Sequence, residues 1–211
     1  MSRGTGMSRE TRAMVASARD GDREAFNGLV ERYEKGVCAM VYALTADWHM
    51  SQDIAQDAFL IALRRVSSIR DPGSFPTWLF RIAHRHAINC MRERDRRSRV
   101  LHEAAVNRHS AREIREGCAV FDPGQVERGE HRDAVREALR ALKADWAAAI
   151  SLRYYEGLTC REIGEVLGID VRNVRVRLHR GRKALRKRLV KAVSGRGVGK
   201  NEVRGRRTPS G

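Results

Sequence analysis

Between Val171 and Leu189 the chain sets Arg172, Asn173, Arg175, Val176, Arg177, His179, Arg180, Arg182 and Lys183 around the apolar series Val171, Val174, Leu178 and Leu185. These side chains suit recognition rather than bond-making. An Arg guanidinium pairs two acceptors on guanine, an Asn amide pairs both groups on the adenine edge, and Val touches a thymine methyl. Arg172, Asn173, Arg175, Val176 and His179 lie near the start of the segment, where base edges are reached. Arg177, Arg180, Arg182 and Lys183 are better placed to hold phosphates and set the register. The plain alternative is a solvated basic helix packed on its neighbours.

A second group, Asp53, Gln56 and Asp57, is spaced three and four apart, which puts two carboxylates on one helical face. Metal ligation or acid–base catalysis would need a histidine or third carboxylate at ligand spacing, and that helix offers none. The four cysteines, Cys38, Cys90, Cys118 and Cys160, are too far apart for a zinc knuckle or a redox dithiol. No nucleophile–base pair or phosphate loop is visible. The sequence therefore predicts no enzyme, no metal and no cofactor.

Charge points the same way as the basic segment. Among 211 residues there are 42 Lys and Arg against 26 Asp and Glu, a formal charge of +16. From Val171 to Gly211 there are 15 basic residues and one acid, Glu202, so +14 of that excess sits in the last fifth of the chain. Such density suits a polyanion, with nucleic acid the commonest. No stretch approaches the roughly 18 apolar residues that span a bilayer, and the N-terminus has no apolar signal run. A cytoplasmic location without membrane insertion is the expectation.

The elements that must position these residues are helical throughout. Apolar residues recur at spacings of three and four, as in Phe26, Leu29, Val30, Tyr33, Val37, Met40, Val41 and Leu44, and alternating β-branched runs are missing. Ser51 is predicted to cap a helix running through Val66, before the turn-rich stretch 67–74. Thr77 is predicted to cap the next helix, from Trp78 to about Arg94. On that helix Leu79, Ile82, Ala83, His86 and Cys90 share one face, while Trp78, Arg81, Arg85, Asn89 and Arg92 form a basic stripe opposite. Such a stripe suits following a backbone and stacking bases. The loop before it holds Arg70, Asp71, Ser74 and Phe75; Phe75 and Trp78 would serve equally as core anchors.

Near the C-terminus, Thr159 and Glu162 have capping-box spacing, Ile163, Val166 and Leu167 face inward, Gly168 supplies a turn, and Asp170 caps the basic helix. This is a helix-turn-helix pattern, whose second helix enters the major groove. The predicted architecture is all-α, with two small helical domains joined by a flexible linker. An N-terminal segment, 1–24, precedes a first domain at 25–97. A linker with at most partial helix occupies 98–128, a second domain 129–193, and a disordered basic tail 194–211.

Two stretches carry a family likeness. Ser51-Gln52-Asp53-Ile54-Ala55-Gln56-Asp57-Ala58-Phe59-Leu60-Ile61-Ala62-Leu63 resembles the region-2 helix of bacterial sigma factors, and Trp78 to Arg92 resembles the adjoining promoter-reading helix. Together with the helix-turn-helix, they make the chain similar, from about Ala25 to Leu189, to the extracytoplasmic-function (ECF) sigma factors of the sigma-70 family. The resemblance implies that Asp53, Gln56, Asp57 and Leu60 dock on the β′ clamp helices of core RNA polymerase, with the β flap as a further contact. It implies that Arg70, Asp71, Ser74, Phe75, Trp78, Arg81, Arg85 and Asn89 capture the promoter −10 element as single strand. The −35 element would be read by Thr159, Arg161, Arg172, Asn173, Arg175, Val176, Arg177, His179, Arg180 and Arg182. Promoter DNA and an anti-sigma factor are the other implied partners. The chain departs from the family at His84, Arg85 and Asn89, and at Lys143-Ala144-Asp145-Trp146, where a Pro-containing turn is usual. A stand-alone helix-turn-helix regulator would need neither the Asp53/Gln56/Asp57 patch nor the Trp78/Arg81/Arg85 face.

Overall fold

A computed structural model describes the backbone of residues 7–104, Ala138 and residues 141–196, and no strand occurs among them. Helices α1 (Arg9–Arg19), α2 (Arg23–Thr45) and α3 (Trp48–Arg65) are followed by two 3₁₀ turns, Val66–Ser68 and Pro72–Ser74, and by α4 (Phe75–Ala104). The second block holds α5 (Ala144–Tyr154), α6 (Cys160–Leu167) and α7 (Val171–Arg196).

Side-chain caps set most of the helix starts. Ser8 accepts a hydrogen bond from the Thr11 amide, and Asp22 accepts from Glu24 and Ala25, satisfying donors that an N-terminus leaves unpaired. Helix α3 is capped by Asp47, which accepts from the Met50 amide at 3.1 Å. Ser51 is not the cap: it lies fully buried inside the first turn, its hydroxyl bonded to Thr45 and to the Asp47 carbonyl. The outer oxygen of Asp47 also receives Arg94 at 3.1 Å, tying the start of α3 to α4.

Helix α4 likewise begins earlier than Thr77, which is buried within it. Pro76 fits the first turn because its missing N–H would have had no helical partner there. The same helix runs seven residues into the segment read as linker. Glu93 pairs with Arg96 at 2.9 Å and Arg97 at 3.2 Å, the three- and four-residue spacings that support an exposed helix. The rest of the expected linker, and the tail beyond Arg196, lie outside the described residues.

In the first block, α2 packs against α1, α3 and α4. Its core is aromatic: Phe26, Tyr33, Phe59, Phe75 and Phe80 are buried with Leu29, Val37, Met40, Val41 and Leu79. The second block is built of smaller residues. Helix α5 buries every residue from Ala147 to Leu152 because it is covered by α2 as well as by α6 and α7. Helix α6 lies on α4. The two blocks thus touch along two seams, α2 on α5 and α4 on α6, and their apolar residues form one continuous core.

Candidate polymerase and nucleic-acid interfaces

The α3 face follows from its helical period. Ile54, Ala55, Ala58, Phe59 and Ala62 are buried, which turns Asp53, Gln56, Asp57 and Leu60 outward. Leu60 is 51% exposed and Leu63 is 41% exposed. Leu63 joins the face expected from sequence, because its place three residues after Leu60 puts it on the same stripe. An exposed leucine pair beside two carboxylates is a mixed apolar and acidic surface of the kind that docks another protein. Asp57 also accepts from, or pairs with, His86 of α4 at 3.0 Å.

On α4 the packing divides the helix cleanly. Phe75, Leu79, Phe80, Ala83 and Ala87 are buried, and Arg81, Arg85, Asn89 and Arg92 are exposed on the other side. Trp78 is half-buried, its ring 5.9 Å from that of Phe75. Phe75 itself is fully buried, 5.7 Å from Tyr33, so it is a core residue and not a surface of the loop. It forms the floor on which Trp78 rests. In the preceding turn, the Asp71 carboxylate accepts from the Gly73 amide and Ser74 donates to the Asp71 carbonyl, while Arg70 is free to reach outward.

The helix-turn-helix has the geometry its residues predict. Thr159 and Glu162 form a complete capping box on α6, and Gly168 takes the left-handed conformation with φ 66° at its end. Asp170 accepts from the Arg172 amide at 2.6 Å, opening α7. Val174 and Leu178 are buried; Arg172, Asn173, Arg175, Val176, His179, Arg180 and Arg182 are exposed. Arg161 is exposed and pairs with Glu165 on its own helix at 3.4 Å. Arg177 differs from its neighbours. It is half-buried and paired at 3.2 Å with Asp145 of α5, so it is turned inward rather than toward a groove.

Close to that pair stands His84 of α4, at one of the positions where the sequence departs from family habit. Burial, then the Arg177 charge, hold its ring below the ordinary imidazole range, with Asp145 acting in the opposite sense. A base-reading role for His84 would need it in solvent, and the second block covers it instead. Sequence reasoning also passed over Glu156, on the turn between α5 and α6. No local signal marks it, because what makes it unusual is its contact with α2.

Cys38, Cys90 and Cys160 carry free, half-buried thiols, and burial pushes the Cys38 thiol up to about 11 and raises that of Cys90. Both stay protonated and unreactive at neutral pH. Cys118 lies outside the described residues. Among the described residues no group of three or more His, Cys, Asp or Glu is arranged to hold a metal ion, and no helix is long and apolar enough to cross a membrane.

An exposed apolar–acidic face, a basic stripe and a capped helix-turn-helix on an all-helical frame define a class: helical proteins that join a helix-turn-helix block to a second helical block. The sequence matches the models for sigma-70 region 2 over residues 29–97 and sigma-70 region 4 over residues 132–185. It is 32% identical over 180 residues to the RNA polymerase sigma-H factor of Pseudomonas aeruginosa, covering 83% of this chain and 92% of the relative. It is 34% identical over 178 residues to the ECF RNA polymerase sigma-E factor of Escherichia coli K12, covering 82% and 90%. Among solved structures, CnrH in complex with the cytosolic domain of CnrY aligns with a TM-score of 0.54 at 26% identity, over 87% of this chain and 98% of that one. RpoE in complex with the anti-sigma factor NepR, from Bartonella quintana, has a TM-score of 0.58 at 21% identity, over 79% and 96%. The chain belongs to the ECF sigma factors of the sigma-70 family. It is a sigma factor, directing promoter-specific transcription, in a family of non-catalytic initiation factors that bind core RNA polymerase.

Proposed function

We propose that the three exposed faces divide the work of initiation. The α3 face, with Asp53, Gln56, Asp57, Leu60 and Leu63, docks on the β′ clamp helices, and the second block reaches the β flap. The α4 stripe, with Trp78, Arg81, Arg85 and Asn89, captures unpaired −10 bases, assisted by Arg70, Asp71 and Ser74 from the turn before it; Phe75 supports Trp78 from beneath. Helix α7 reads the −35 element through Arg172, Asn173, Arg175, Val176 and His179, while Arg180 and Arg182 hold phosphates, and α6 adds Arg161 beside its Thr159 cap. Regulation by an anti-sigma factor and a cytoplasmic location complete the reading.

The observation that carries this division is the exposure of polar stripes on α3, α4 and α7, each backed by fully buried residues of the same helix. Such stripes can be used without unfolding anything. The test is run-off transcription with core polymerase on a duplex promoter and on one already mismatched over the −10 region. Trp78→Ala and Arg85→Ala should impair the duplex more, because a premelted template removes an unpairing cost of a few kcal/mol per extruded base. Equal losses on both templates would reject a melting role. A double Asp53→Ala/Gln56→Ala variant should keep its helicity while losing affinity for core; undiminished binding would reject that assignment.

A further inference from the structure

The seam between the blocks contains a carboxyl group with one oxygen buried and without a hydrogen-bonding partner. Glu156, on the turn from α5 to α6, inserts against α2 at Gly36. A Cβ on Gly36 would collide with its carboxyl group, meeting Cδ at 2.6 Å, and would also lie 3.2 Å from the Phe80 ring of α4. Oε1 of Glu156 is buried without a partner. A glycine at that point is what lets the carboxyl enter. A buried, unpaired carboxyl oxygen is costly when ionised and much less so when neutral, so its presence calls for an explanation.

The arrangement of the blocks supplies one. The −35 and −10 elements are centred roughly 25 base pairs apart, about 85 Å of duplex at about 3.4 Å per step. In this structure α6 lies on α4 and α7 lies on α6. Packed helices sit 8–10 Å apart, so the α4 and α7 stripes are separated by only on the order of 20 Å between axes. This closed form cannot engage both elements at once. We propose that Glu156 is a proton-operated latch: neutral, it holds the second block against α2 and α4 in the closed form, and its ionisation releases that block to reach the −35 element. The functional consequence rests on the assignment of −10 and −35 reading to α4 and α7; the latch itself does not.

The groups facing the carboxyl agree. From α2 come the Arg32 charge, which favours ionisation, and the Tyr33 phenol, itself pushed up to about 12 by burial and by Glu156. From α4 comes the apolar ring of Phe80. Burial outweighs Arg32 and pushes the Glu156 carboxyl up from 4.5 to about 7. A carboxyl held neutral in the closed form stabilises closure fully at low pH; the effect declines from about 4.5 upward and is gone above about 7. His84, at the other seam, works in the opposite sense. Its ring is held neutral by burial and by Arg177, against Asp145, so closure weakens as pH falls below 6.5.

The test uses the full chain carrying a donor and acceptor dye on non-natural residues at Asn27 and Lys187, both exposed. Energy transfer then reports the ratio of closed to open molecules. Relative to Glu156→Gln, the wild-type ratio should rise about tenfold between pH 8 and pH 6, since Gln mimics the neutral carboxyl at every pH while His84 affects both proteins alike. Gly36→Ala, which fills the niche, should be open at both values with unchanged helicity. Identical pH responses in wild type and Glu156→Gln, or a Gly36→Ala protein as closed as wild type, would overturn the latch. Binding of a −35 duplex by the same samples separates the two readings. Energy transfer that follows Glu156 without sequence-specific binding leaves the latch and removes the α7 assignment; specific binding with unresponsive energy transfer does the reverse.

Discussion

The two blocks present similar basic stripes on very different supports. In the first, α4 is held by fully buried rings, Phe75 and Phe80, with Tyr33 at 5.7 and 6.4 Å from them. Large aromatic rings bury much area per side chain and fix the helix rotation, so the stripe of Arg81, Arg85 and Asn89 is aimed by the core. In the second block, α7 is held through Val174 and Leu178, with Ala184 and Leu185 only partly buried. Its α5 neighbour contributes alanines and relies on α2 for cover. Strand capture asks for a rigid pocket that keeps bases apart, whereas duplex reading asks for a light module that can be carried to a distant site. The contrast in core composition fits the contrast in task proposed for the two blocks.

The largest effect should come from the aromatic support. Phe80→Ala should cost about 3–5 kcal/mol of stability in urea unfolding, as a ring is removed from a filled core, while Ile163→Ala, a smaller deletion in the second block, should cost less, toward the low end of about 2–5 kcal/mol. Equal losses would break the comparison. Next comes base reading by α7. Arg172→Ala should lose roughly 1–3 kcal/mol on its preferred duplex and relax preference at one −35 position. Arg182→Ala should weaken all duplexes alike and flatten the salt dependence by about one unit of slope. If the two behave the other way round across a salt series, α7 is inserted in the opposite sense.

A smaller change tests how lightly the second block is held. Thr159→Ala removes half of the capping box and should cost about 1 kcal/mol, read as a lowered thermal midpoint with weaker −35 binding. The smallest effect is expected at the surface of the first block. Asp57→Asn loosens an exposed pair with His86 and should change stability by less than about 1 kcal/mol. A larger loss would mean that the α3 face is part of the fold and not a free docking surface.

Local order was legible in the chain itself. The helix-turn-helix could be read residue by residue because a capping box, a left-handed glycine and an Asx cap act within three or four positions. The exposed stripes of α3 and α4 were equally legible, since a period of 3.6 assigns faces without reference to partners. Helix starts were less so. Ser51 and Thr77 are good caps by type, but Asp47 and the Pro76 turn lie upstream, and long-range packing buried both hydroxyl residues instead.

By itself, then, the sequence determined that the chain is helical, that its second block reads as a helix-turn-helix, and which side chains stand outward on each helix. Those properties follow from short-range hydrogen bonding and from the spacing of apolar residues. Only the tertiary structure decided that Phe75 is buried against Tyr33, that Arg177 turns to Asp145, and that Glu156 enters the niche at Gly36. Each depends on a residue from another helix, between about 30 and 120 positions away. No periodic pattern records such meetings, because burial and charge pairing are set by which surfaces touch after the helices have formed.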